Sequence, residues 1–300
     1  MKAAIFALTL ALPTALHAQD IQIDTATGPV AVAPAPENLA VFDLAAIDTL
    51  NALGVTVTAG PDITPPAFLA PALADSTKVG TLFEPDFEAL AAMGPDLIIA
   101  GGRSAAQVDA LSRIAPTVDM TITGDALFEE AESRLTSYGT LFGKEDQAAE
   151  LKAQLDTALQ DARAAVANKG NALILLTNGG KVSAYGAGSR FGWLHSALNL
   201  PEARGGLDTQ GSHGEAVSFE FIADTNPDWL LVLDRGAAIG EEGEAAAATL
   251  DNPLVAGTTA GQKGQIVYLD PAALYLSSGG VQSLTLLLKQ VTEAFGAANS

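Results

Sequence analysis

The sequence has no cysteine. That excludes disulfides, thiolate metal sites and a cysteine nucleophile, and it leaves no thiol to carry the anchoring lipid of a bacterial lipoprotein. Basic residues are scarce, with 15 Lys and Arg against 35 Asp and Glu, for a formal charge of −20. Such a surface repels nucleic acid and anionic lipid headgroups. The histidines number 3, too few for a His-rich zinc or manganese site. No apolar run reaches the roughly 20 residues of a spanning helix without Gly, Pro or charge. The chain also lacks a Walker A loop, a G-x-S-x-G elbow and a His-Glu-x-x-His helix. Gly186, Gly188 and Gly192 are spaced one residue too widely for a dinucleotide fingerprint. Neither an enzyme nor an intrinsic cofactor is therefore expected.

What is present begins with an export signal. Lys2 precedes an apolar run from Ala3 to Leu12, then Pro13 and the small-residue site Leu16-His17-Ala18, the pattern of a cleaved leader over residues 1–18. Removing Lys2 leaves 14 basic residues, and 14 − 35 gives −21 for the mature chain. At roughly 280 residues such a chain buries about three quarters of its unfolded surface and commonly divides into two units. The expectation is a soluble, unlipidated, monomeric protein of the periplasm.

Short apolar strands alternate with helices along the mature chain. Strands are expected at Ala40–Phe42, Val55–Thr58, Leu97–Ala100 and Val118–Ile122, and helices at Leu44–Leu53, Asp86–Met93, Ala105–Ile114 and Ala126–Phe142. This alternation implies an α/β fold with a mostly parallel sheet. Between Glu145 and Asn168 the pattern changes: Ala148, Leu151, Leu155, Leu159, Ala162 and Val166 recur every three or four residues, one face of a long helix without Gly or Pro. The α/β pattern then restarts at Ala172–Leu176 and Val182–Tyr185. The organisation read from this is an N-terminal lobe at 19–143, a connecting helix at 144–169 acting as a rigid strut, and a C-terminal lobe at 170–300.

The lobes carry an internal repeat. The segment from Glu88 through Pro95-Asp96 to Arg103 aligns without a gap on the segment from Glu220 through Pro227-Asp228 to Arg235, with offsets 220 − 88 = 132 and 235 − 103 = 132. Each copy has a helix carrying the Glu, a Pro-Asp stop and an apolar strand that delivers an Arg near its carboxyl end. Ligands bind outside the carboxyl ends of strands in open α/β sheets, so facing lobes would aim Arg103 and Arg235 into one cleft. The bland alternative is that Pro-Asp before a strand is a common connection. A third arginine, Arg190, lies in a Gly-rich, aromatic-flanked stretch from Tyr185 to His195. His213, bracketed by Gly211 and Gly214, reads as an exposed loop residue and a better ligand contact than His195. The ordinary alternative for each arginine is a nearby carboxylate, such as Asp234 beside Arg235.

In Gly188-Ser-Arg190-Phe-Gly-Trp193, Ser212-His213-Gly214, Val217-Ser-Phe-Glu220 through Arg235, and Leu269-Asp-Pro271 with Tyr275-Leu-Ser-Ser-Gly279, the sequence resembles the periplasmic siderophore-binding proteins of iron ABC importers, especially those for ferric catecholates. The resemblance runs from Pro36 to about Ala294. It implies two Rossmann-like lobes joined by one long helix, the class III periplasmic binding protein architecture. It also implies that Arg103, Arg190 and Arg235 hold the anionic chelate and that His213 and Tyr275 complete the coordination of siderophore-bound ferric iron. On the same grounds Glu88 and Glu220 dock onto the dimeric inner-membrane permease. A trianionic ferric catecholate suits three guanidiniums, which donate paired hydrogen bonds and stack on aromatic rings. Screening over about 8 Å hides the acidic background from such a cluster. Haem, cobalamin and citrate or hydroxamate iron chelates are the alternative ligands.

Overall fold

A computed structural model describes residues 19–124, 126–207, 214–241 and 243–297. It opens with a hairpin of β1 (Ile21–Thr25) and β2 (Gly28–Val32). The first lobe holds a parallel sheet of β3 (Leu39–Val41), β4 (Ala59–Gly60), β5 (Thr77–Lys78), β6 (Leu97–Ala100) and β7 (Thr117–Asp119), in the order β5-β4-β3-β6-β7. The second lobe repeats the order with β8 (Ala172–Asn178), β9 (Lys181–Tyr185), β10 (Glu215–Val217), β11 (Trp229–Asp234) and β12 (Ile266–Tyr268), arranged β10-β9-β8-β11-β12. There β8, β11 and β12 pair in parallel, whereas β9 runs antiparallel to both of its neighbours, β8 and β10.

Alternation at period 2 lets the central strands bury both faces. Leu97 and Ile99 point into the large core that runs through both lobes, while Ile98 and Ala100 join a smaller outer cluster with Phe42 and Leu90. In the second lobe Ile174 and Leu176 face the large core, and Leu173 and Leu175 face the outer one.

The repeat is structural as well as sequential. The helices Phe87–Met93 and Phe219–Thr225 are capped by Asp86 and Ser218 and end at left-handed Gly94 and Asn226. The following aspartates tie each helix to the start of its sheet: the Asp96 carboxylate accepts from Asn38 N at 2.8 Å, and that of Asp228 accepts from Asn171 N at 3.0 Å. Glu88 and Glu220 thus occupy the same place, second in each helix and exposed.

The connecting helix spans Glu145–Val166, 22 residues or about 33 Å, and buries Ala148, Leu155, Leu159, Ala162 and Val166 of its expected face. The C-terminal helix Val281–Ala297 packs along it, so two parallel struts bridge the lobes. At one end of this second strut Phe295 stacks on Trp229 with ring centroids 3.7 Å apart. At the other, Asp48 of the first-lobe helix Leu44–Ala52 accepts from the backbone N of Gln282 and Ser283 at 2.7 and 3.0 Å.

Two local expectations differ from the structure. Val55–Thr58 is not a strand: the Leu39 N–H is taken by Thr58 Oγ1, Leu39 O accepts from both the Thr58 hydroxyl and the Thr58 N–H, and the strand itself begins at Ala59. Ala105–Ile114 is not one helix: the chain winds as a 3-10 helix over Gly102–Gln107 and as a short α-helix over Val108–Leu111. The tight start is fixed by the buried Ser104 hydroxyl, which bonds Gly101 N at 3.0 Å and reaches Phe42 O at 3.3 Å.

Candidate functional site

The arginines of the repeat emerge at corresponding ends of β6 and β11. Arg103 lies in the 3-10 turn after β6, and Arg235 is the first residue of the helix Arg235–Ile239 after β11. Arg190 sits in the loop after β9, which Ser189 closes by donating its hydroxyl to Gly186 O at 2.6 Å. All three meet at Tyr275, the last residue of the short helix Pro271–Tyr275. Arg103 donates to Tyr275 O at 3.0 Å and to Leu276 O at 3.3 Å, and Arg190 donates to Tyr275 O at 3.2 Å. The guanidinium carbons of Arg103 and Arg190 stand 5.4 and 4.7 Å from the Tyr275 ring centroid, and Arg190 also lies 4.6 Å from that of Phe191. Arg235 lines one cavity wall with Tyr275 and acts on its phenol from there.

The charge balance at this point is cationic. Among the described residues neither Arg103 nor Arg190 forms an ion pair, and Arg235 has one at 3.4 Å to the exposed Glu241, an arrangement worth little. Asp234 does not neutralise its neighbour: its two oxygens accept from Ala237 N and Ala246 N at 3.0 and 2.8 Å. Burial, and then the nearby charge of Arg190, hold the Arg103 guanidinium below its ordinary pKa. Burial pushes the Tyr275 phenol up, but Arg235 and the charges of Arg190 and Arg103 outweigh it, so the phenol lies below the ordinary tyrosine value. This is an environment made for anionic oxygen.

Tyr275 also stands between two cavities. One of about 680 Å³ opens over the second lobe and is lined by Asn178, Lys181, Tyr185, Phe219 and Arg235 among others. The other, about 130 Å³, lies between the lobes against Asp43, Arg103 and Arg190. The lobes approach closely there: a Cβ added to Gly124 would stand 3.2 Å from Arg190 Cα and 3.3 Å from Ser189 O. Glu220 lines the larger cavity, and Glu88 is on the matching helix of the first lobe.

Of the residues read from sequence, Arg103, Arg190, Arg235 and Tyr275 are therefore brought together, and the two glutamates stand at equivalent helix starts, with Glu220 on the wall of the larger cavity. His213 lies outside the described residues. His195 is a core group, 5% exposed, with Nδ1 2.9 Å from Leu200 O and a pKa lowered chiefly by burial. Among the described residues no cluster of three His, Cys, Asp or Glu side chains is placed to hold a metal ion, and no helix is long and apolar enough to cross a membrane. Asp43, in the wall of the smaller cavity, was not evident from sequence. An Asp before a helix is an ordinary cap signal, and its nearness to Arg103 arises only from the pairing of β3 with β6.

A cationic cleft at the carboxyl ends of two repeated α/β lobes, bridged by long helices, defines a solute-binding protein rather than an enzyme. The chain belongs to the periplasmic binding protein family, whose model matches residues 39–273. Among individual proteins it is 36% identical to the petrobactin-binding protein YclQ of Bacillus subtilis over 263 residues, covering 86% of this chain and 82% of that protein. The crystal structure of YclQ superposes with a TM-score of 0.87 at 33% identity, over 93% of this chain and 99% of that one. The ferric-anguibactin-binding protein FatB of Vibrio anguillarum is 27% identical, covering 92% of this chain and 87% of its own. The periplasmic catecholate-siderophore binding protein VctP of Vibrio cholerae has a TM-score of 0.85 at 29% identity, over 93% of this chain and 100% of that one.

Proposed function

We propose that the protein captures a ferric siderophore of the catecholate type in the cleft around Tyr275 and delivers it to the permease of an iron ABC importer. The observation that carries this reading is the convergence of Arg103, Arg190 and Arg235 on one tyrosine, with no ion pair to the first two among the described residues. The named ligands of YclQ, FatB and VctP, which are petrobactin, anguibactin and a catecholate siderophore, agree with it. The iron arrives as cargo within the chelate, with Tyr275 as the phenol beside it and His213, outside the described residues, as the second ligand that the family resemblance implies. A phenol whose pKa lies below the ordinary tyrosine value suits ferric iron when the chelator leaves positions open. Exported by its leader, the protein works as a soluble monomer in the periplasm, with one lobe over 19–143 and the other over 170–300. Glu88 and Glu220, one exposed at the same helix position in each lobe, dock onto the two halves of the permease dimer.

The test is a titration of purified protein with ferric catecholate, ferric hydroxamate and ferric citrate chelates, read by quenching of intrinsic fluorescence and by colour retained after desalting. Tight binding of the anionic catecholate and weak binding of the neutral hydroxamate is expected. Equal affinities for both would overturn the charge argument, and preference for citrate would move the assignment to the carboxylate chelates.

A further inference from the structure

Asp43 follows β3 and caps the helix Leu44–Ala52, its Oδ1 accepting from Ala46 N at 2.7 Å. The other oxygen lies beneath the loop that leads to Arg103: a Cβ added to Gly101 would come within 2.9 Å of Oδ2, and one added to Gly102 within 3.3 Å. The side chain therefore reaches the cavity of about 130 Å³ shared by Arg103, Arg190 and Tyr275. Among the described residues it makes no ion pair there. A carboxylate in this wall is a liability for an anion carrier, because it opposes the charge that the arginines attract. Three charged or titratable groups act on it from neighbouring elements: Arg103 favours its ionised form, Asp119 of β7 opposes it, and Tyr138 of the helix Leu127–Phe142 faces it. Burial is the largest influence and lifts the carboxyl to about 6. An approaching anion adds to the same side of the balance.

We propose that Asp43 is a charge-regulating positioning residue of the cleft, whose carboxylate takes up a proton from solvent when the anionic chelate enters. The step forms one O–H bond on the carboxyl and removes one negative charge from the wall, so capture is coupled to proton uptake. The inference rests on the reading of the cleft as a site for an anionic chelate. Below about pH 6 the free protein already holds the proton and binding needs none. Between the free value and the higher value in the complex, capture takes up a fraction of a proton, about half at its greatest for a shift of one unit, and affinity falls as pH rises. If the chelate raises this group by one further unit, the penalty reaches about tenfold.

Asp43→Asn tests the idea because asparagine caps a helix as well as aspartate while removing the charge. Dissociation constants for a ferric bis-catecholate are measured for both proteins between pH 5.5 and 8, and calorimetry at about pH 6.5, where uptake is greatest, in two buffers of different ionisation enthalpy counts protons. Protonation of the ligand is common to both proteins and cancels in the ratio of the constants. The variant is expected to bind about tenfold tighter at pH 8, with the advantage vanishing towards pH 5.5 and proton uptake lost. Equal or weaker binding by a folded variant, with proton uptake unchanged, would show that Asp43 is only a cap. Absence of binding by the parent protein would instead refute the assigned ligand. Should Asp43→Asn fail to fold, Asp43→Ser keeps a capping oxygen without charge and answers the same question.

Discussion

Asp48 offers the sharpest test of how the lobes are held together. It is 0% exposed, and its oxygens accept from Gln282 N at 2.7 Å, Ser283 N at 3.0 Å and Ser283 Oγ at 2.7 Å. The Ser283 hydroxyl is in turn 2.7 Å from that of Ser277. Burial outweighs these hydrogen bonds and raises the carboxyl from 3.8 to about 7. The surroundings can accommodate the proton: a protonated Asp48 donates to Ser283 Oγ, which then donates to Ser277 Oγ. Because the folded pKa lies above the unfolded one, the stabilisation from this group is complete below about pH 4 and is lost as pH rises through 7. A shift of about three units amounts to roughly 4 kcal/mol in all, of which about 3 kcal/mol falls between pH 5 and 8. In Asp48→Asn the amide meets Ser283 N–H donor to donor, so the variant is less stable at pH 5 by about 1.5–3 kcal/mol. Its stability no longer carries this pH dependence. Urea denaturation of both proteins at pH 5 and 8 is the assay, and the difference between them cancels every other titrating group. The gap is expected to narrow or reverse at pH 8. Parallel pH profiles would refute the reasoning and show that Asp48 does not change protonation over this range.

Three further outcomes follow from the cleft. Arg190→Ala should weaken binding of a ferric catecholate by about 2–5 kcal/mol, the cost of truncating one partner of a buried charge pair, measured by fluorescence titration. His213→Ala combined with Tyr275→Phe should weaken tetradentate chelates selectively over hexadentate ones and alter the ligand-to-metal absorption band only for the former. Glu88→Ala should leave chelate affinity intact while uptake into cells falls at limiting protein.

Much of this was legible in the sequence because it lies in periodic or repeated patterns. The connecting helix shows itself in the spacing of Ala148, Leu155, Leu159 and Ala162, and the lobes in the two Glu to Arg repeats. Arg103 and Arg235 could be aimed at one cleft because the carboxyl end of a strand is a known place before any coordinates exist. What stayed hidden depends on contacts between distant residues. Asp48 reads as an ordinary polar position of a helix, and only its pairing with Ser283, 235 residues later, makes it a buried cap. Thr58 looks like the end of a β-branched strand, yet the Leu39 N–H bonds its hydroxyl, and only its own N–H keeps a backbone bond to Leu39 O.

The same distant contacts give the arginines a second task. Tyr275 O accepts from Arg103 of the first lobe and from Arg190 of the second, and Leu276 O accepts from Arg103. Five residues further on, the chain enters the helix whose first turn is capped by Asp48 of the first lobe. The segment from Tyr275 to Ser283 is thus gripped by first-lobe groups at both ends, with the site arginine forming one grip and a buried carboxylate the other. A hydrogen bond from a guanidinium to a neutral carbonyl is weaker than one to an anionic oxygen. A chelate that claims Arg103 therefore competes with one grip and leaves the other untouched. If the arginines hold the chelate as proposed, ligand contact and lobe geometry are linked through the residues that carry the charge, while the Asp48 cap keeps the lobes in register.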